Sequence, residues 1–314
     1  MKGYDPMNLK KFLLGSVIVL GSGLIFPIIQ TKSTQHPQAA LFNKKTEKGT
    51  LTLRFDGAKI YGKDGNTLKS YPGAGVYLDD AHFKEGTTHD YYGDPVYMKW
   101  HHNDMTTKAT FYNIGNGGYI LGYNIASLNG KGTLSVYHNA YVYDKNGQRL
   151  KSYLGSKDHT LIRKGTAVNY VGKLNEKSDT SKKLPKFYYF NTGVQSTSDK
   201  ILWPTYHTIK GKQYYNIGNG GYIKANNICY INGKELYVSE ATVTIGKSLH
   251  KNGKYYIGNS KGKLTGKFLS LKEGQKVVVD RMFKKGRTFW RIKGTKDYLY
   301  GPEIKTFPRQ ALRY

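Results

Sequence analysis

Tyr112–Ile120 reads YNIGNGGYI, and Tyr215–Ile223 reads the same nine residues 103 positions later. A match of this length marks an internal repeat. Its Gly-Asn-Gly-Gly core supplies the positive-φ positions that a tight hairpin turn needs, and aromatic and β-branched residues flank it. The segment therefore predicts two strands around a turn. It is not a phosphate loop, because no Lys-Ser/Thr follows the glycines.

Further matches extend the repeat in both directions. Gly49–Tyr71 (GTLTLRFDGAKIYGKDGNTLKSY) aligns with Gly132–Tyr153 (GTLSVYHNAYVYDKNGQRLKSY) at an offset of 82 to 83. The second copy is thus longer by about 21 residues, and the Lys-, Ser-, Asp- and Thr-rich stretch Lys173–Lys200 is read as the loop that holds them. A more divergent third copy follows. Lys254–Leu264 resembles Ala140–Leu150, and Lys285–Ile304 resembles Lys210–Ile228. Between these ends lies a shared element: EGTTHDYYG at Glu85–Gly93, KGTAVNYVG at Lys164–Gly172 and EGQKVVVD at Glu273–Asp280. Thr166, Val168 and Tyr170 alternate with Ala167, Asn169 and Val171, as in a strand.

The expected fold is mainly β, with three tandem small units at residues 41–130, 131–234 and 235–314. No segment after residue 40 shows a helical stripe, beyond at most one turn at Ala225–Ile228. Units this small are near the lower size limit for independent stability, so neighbours are expected to pack together.

Residues 1–40 read differently. Lys2, Lys10 and Lys11 precede an apolar run from Phe12 to Ile29, and Ala39-Ala40 follows a polar stretch. This is the pattern of a secretory signal peptide or of a retained membrane anchor. Either reading places the rest of the chain outside the membrane and removes nucleic acid from the expected partners.

The chain of 314 residues carries a formal net charge of +28. Residues 41–130 contribute +1, while residues 131–234 and 235–314 contribute +12 each. Such a partition predicts an anionic polymer as the partner of the two basic units. A single cysteine argues against a disulfide scaffold, and no zinc-type cluster is present.

KGTAVNYVGK, followed by the KGKQYYNIGNGGYIKANNI run, resembles the SLAP domain, the C-terminal wall-binding domain of lactobacillus surface-layer proteins. Residues 131–304 cover a pair of such repeats, specifically in the second unit and more loosely in the third. The first unit matches in GAKIYGKDG and YNIGNGGYI, but its middle is acidic. The strand order also resembles bacterial SH3-like domains. The resemblance implies an exported protein held noncovalently on a Gram-positive cell wall by teichoic or lipoteichoic acid, with peptidoglycan or a surface-layer protein as further partners.

Lys210, Lys212 and Lys224 flank Tyr214 and Tyr215. Lys285, Arg287, Arg291, Lys293 and Lys296 surround Phe289 and Trp290. These eight cations are the candidate polyanion contacts, and the four rings are candidate sugar-stacking platforms. No hydrolase signature appears (neither HExxH nor GxSxG), so no catalytic residue, metal or cofactor is expected. Cys229 reads as a buried, inert thiol. The alternative function is an adhesin whose first unit binds a separate protein while the basic units anchor it.

Overall fold

The computed structural model describes residues 48–54, 57–102, 105–178, 183–195, 199–285 and 287–313. The signal or anchor reading of residues 1–40 lies outside the described residues. The protein is mainly β, as expected, and no described helix reaches seven residues. The one helical turn foreseen near Ala225–Ile228 is a 3₁₀ turn at Ala225–Asn227.

One strand arrangement occurs three times. Its opening strand is Lys48–Leu53, Lys131–Val136 or Ala241–Ile245. This strand pairs antiparallel on one side with a middle strand, Thr88–Tyr92, Ala167–Asn169 or Lys276–Lys285. On its other side it pairs with a closing strand, Ile125–Leu128, Ile228–Ile231 or Ile304–Thr306. The closing ladder shifts register at the same place each time: Thr52/Leu53, Ser135/Val136 and Thr244/Ile245. A one-turn 3₁₀ segment precedes each closing strand, at Gly122–Asn124, Ala225–Asn227 and Gly301–Glu303.

The two stretches that repeat most clearly in sequence meet in space. The Tyr71 hydroxyl donates to the carbonyls of Ile114 and Gly115 at 3.0 and 3.2 Å. The Tyr153 hydroxyl donates to those of Ile217 and Gly218, both at 3.1 Å. The ring lies against the last glycine of the turn. A Cβ on Gly118 would sit 2.3 Å from Tyr71 Cε2, and one on Gly221 2.5 Å from Tyr153 Cε2. The double glycine thus serves two physical ends. Its first member takes a left-handed backbone after Asn116 or Asn219, and its second leaves room for a tyrosine ring.

The repeats share sheets and core. Lys131 and Gly132 pair with Leu128 and Ser127, which joins the first two openings in one continuous ladder. The Tyr112 hydroxyl donates to Ala167 O at 2.6 Å across the same boundary. A second apolar cluster runs from Leu134 and Val168 through Phe187 and Leu236 to Val243, Trp290 and Leu312. It fuses the second and third repeats.

The stretch Lys173–Lys200, expected as a loop, contains strands at Leu174–Ser178 and Phe187–Phe190. All four side chains of Phe187–Phe190 are buried, so no polar alternation betrays the strand. It pairs antiparallel with Tyr237–Val238, which pairs parallel with Ala311–Leu312. The extra residues of the second repeat thereby bring the C-terminal tail alongside it.

Candidate functional site

The hairpin Tyr206–Ile209 and Lys212–Gly218 turns through Lys210 and Gly211, whose φ values are 48° and 72°. That two-residue turn fixes the register, with Lys212 opposite Ile209 and Tyr214 opposite His207. On the other side, Tyr214 pairs with Lys224 of the strand Gly221–Lys224. Residues i and i+2 of a strand share a face, so Lys212, Tyr214 and Lys224 are grouped by backbone geometry alone.

Lys212 and Lys224 line a groove of about 580 Å³ between the second and third repeats. Lys186 and Arg309 line the same groove, with Asn226, Asn227 and Phe307. Lys186 precedes the buried strand Phe187–Phe190, and its amide donates to the Tyr206 hydroxyl at 3.3 Å. Arg309 is placed by its neighbour. Gln310 Nε2 donates to Asn226 O at 3.0 Å and to Ile228 O at 2.9 Å, docking the tail on the second repeat. The groove contains one carboxylate, Glu240, and Lys293 is ion-paired to it. Lys224 Nζ lies 4.8 Å above the Tyr143 ring, which in turn packs edge-on against Tyr214. Among the described lining residues, four cations thus surround one concave surface, and its one acid is already ion-paired.

Arg309 extends the positive surface further. With Lys164, His138, Asn139, Asn227 and Tyr97 it lines an adjoining pocket of about 440 Å³. Partial burial, and then the charges of Arg309 and Lys164, hold the His138 imidazole below its ordinary pKa.

The remaining candidates are dispersed. Lys210 is exposed at the hairpin turn and Lys296 is exposed near Thr295. Arg287 lies 5.8 Å from the Tyr300 ring centroid. Arg291 makes a two-pronged pair with Asp280, at 2.8 and 3.0 Å, which raises the guanidinium pKa further. The Lys285 side chain lies outside the described residues. The candidate cations of the second repeat therefore converge, while those of the third do not.

The stacking expectation is corrected. Tyr214, Tyr215, Phe289 and Trp290 are all buried, at 4, 0, 0 and 6% exposure. Alternation predicted one wet face for each hairpin, but both faces are covered: Tyr143 packs on Tyr214, Tyr206 on Tyr215, Tyr300 on Phe289 and Phe307 on Trp290. Burial pushes the Tyr215 hydroxyl pKa well above its usual range. These rings build the scaffold beneath the cations. The Cys229 thiol is likewise held protonated, with burial lifting its pKa to about 12.

Sequence reasoning did not find Lys186 or Arg309. Lys186 stands in the presumed loop, and Arg309 in a terminal tail that belongs to no repeat. The only signal was the buried-looking FYYF and QAL segments beside them.

A model of the surface layer protein A domain matches residues 126–193 and 178–226. No curated protein matches the chain. The matched segments contain Lys186, Lys212 and Lys224, together with the hairpin that carries the last two. Residues 126–226 are therefore similar to a surface layer protein A domain, and this match points to a place at the cell surface.

Proposed function

We propose that this protein binds noncovalently to an anionic cell-wall polymer of the teichoic acid class, through the groove of Lys186, Lys212, Lys224 and Arg309. The observation that carries the proposal is the convergence of four cations from three separate segments on one groove, whose single carboxylate is already paired. A polymer with repeating phosphates would release counterions at each neutralised contact, so its binding should be steeply salt-dependent. Lysines and an arginine on a shallow concave surface suit a flexible polyanion, which needs charge density more than a shaped pocket. The role is one of binding and retention, with no chemistry performed on the polymer.

The test is retention of residues 41–314 on purified walls before and after chemical extraction of teichoic acid. Loss of retention after extraction supports the proposal. Retention that is unchanged by extraction, and unchanged on intact walls in Lys212→Glu/Lys224→Glu, overturns it.

A further inference from the structure

The near-neutral first repeat contributes a different kind of surface. A cleft of about 710 Å³ lies among the first repeat, the second repeat and the C-terminal tail. Its volume falls within the roughly 300–1,000 Å³ of small-molecule sites. Six of its lining residues are aromatic: Tyr61, Tyr77, Trp100, Tyr123, Tyr137 and Tyr230. They come from segments far apart in sequence. Trp100 lies 6.3 Å from Tyr123, which lies 6.4 Å from Tyr230, so the rings form a continuous wall. Arg54 stacks over Tyr230 at 4.3 Å.

The Trp100 indole N–H points at the Tyr61 hydroxyl, which ties two of the rings together. One buried polar group of this cleft, on His82, is not satisfied by the protein. His82 Nδ1 is buried and lacks a partner. Buried polar groups are nearly always bonded, so an unsatisfied one in a cleft points to a ligand that bonds it.

The cleft has a shaped lip. The strands Gly75–Tyr77 and Asp80–Phe83 turn through Leu78 and Asp79, both left-handed, at φ 48° and 63°. A leucine in that region is strained, and such strain collects at functional positions. Asp80 holds the turn from below, accepting from Lys59 Nζ and Thr67 Oγ1, each at 2.7 Å. The result is Tyr77 at the cleft mouth with 64% of its surface exposed.

We infer that this cleft binds a glycan segment of a few sugar rings. A pyranose has an apolar C–H face and an edge of hydroxyls. Aromatic walls match the face, and the unsatisfied His82 imidazole nitrogen matches the edge. A lipid would call for aliphatic walls, whereas Leu121 and Leu236 are the only large aliphatic side chains among the lining residues described. The cleft is separate from the cationic groove, although Arg309 and Gln310 border both.

The test uses residues 41–314 and two sets of probes: N-acetylglucosamine oligosaccharides of two to four units, and soluble wall glycan stripped of phosphate polymer. Binding is read by tryptophan fluorescence and calorimetry. The inference predicts saturable binding, at least tenfold weaker in Trp100→Ala and severalfold weaker in Tyr77→Ala. Tyr77 is exposed, so its variant keeps the fold even where the Trp100 variant does not. Lys212→Glu/Lys224→Glu should bind these glycans as the parent does while losing polyanion affinity, which separates this inference from the proposed wall anchor. Absence of binding to both probe sets overturns the inference. So does binding that is unchanged in both aromatic variants.

Discussion

Gln310 reaches across 84 residues of sequence to donate to Asn226 O at 3.0 Å, and it shares the same amide with Ile228 O. This contact links the C-terminal tail to the 3₁₀ turn and closing strand of the second repeat. It also sets the position of Arg309 at the groove. Gln310→Ala should leave two partly or wholly buried carbonyls without a donor and cost about 1–3 kcal/mol. Thermal unfolding would register that loss. Polyanion affinity should fall with it, because Arg309 loses its anchor.

Charge reversal should separate the convergent cations from the dispersed ones. Lys212→Glu and Lys224→Glu should each weaken polyphosphate binding several-fold and reduce its salt dependence. Lys210→Glu and Lys296→Glu lie outside the groove and should have smaller effects. Cosedimentation or calorimetry on the four variants decides this.

Arg291 is committed to Asp280 by two hydrogen bonds, and both side chains are partly buried. Arg291→Ala should therefore act on stability and not on binding. A cost of about 1–2 kcal/mol is expected, above that of an exposed pair and below that of a fully buried one. A large affinity loss with unchanged melting temperature would show that the pair opens to the ligand.

His138 offers a pH handle. Its folded pKa lies below the ordinary value, because partial burial and then Arg309 and Lys164 disfavour the imidazolium. The unfolded chain therefore takes up the proton first as pH falls below about 6.5, so this histidine's contribution to stability is present above that value and declines below it. A polyanion seated beside Arg309 would offset the repulsion and raise the His138 pKa. NMR titration with and without polyphosphate should show that upward shift, and affinity should rise as pH falls from 7 to 5.5.

The repeat itself can be tested at Tyr153. Removing its hydroxyl in Tyr153→Phe leaves the Ile217 and Gly218 carbonyls short of a buried donor, at about 1–3 kcal/mol. Gly221→Ala should cost more, because its Cβ would overlap the Tyr153 ring. The equivalent pair, Tyr71→Phe and Gly118→Ala, should follow the same order in the first repeat.

The threefold organisation was legible because its turns are chemically demanding. In the first two repeats Asn-Gly occupies the left-handed positions and a glycine faces each tyrosine ring, so the spacing survives in the letters. The buried strand Phe187–Phe190 was not legible, since both its faces are covered and its flanks are polar. Alternation misled at Tyr214, Tyr215, Phe289 and Trp290 for a related reason: it detects one covered face and cannot see other segments of the same repeat covering the second. Lys212 and Lys224 could be singled out from local sequence, because one hairpin holds both. Lys186, Arg309 and the aromatic cleft are assembled by long-range pairing, which no local pattern records.

The most direct test of the cationic groove is the salt dependence of binding to a defined phosphate polymer, with the parent chain compared to Lys212→Glu/Lys224→Glu. Roughly four phosphate contacts at about 0.7 per contact predict a slope near −3 in log affinity against log salt. The double variant should bind far more weakly, with a slope shallower by at least about 1. Equal affinity and equal slope in the two proteins would contradict the account and place the polymer elsewhere on the basic surface.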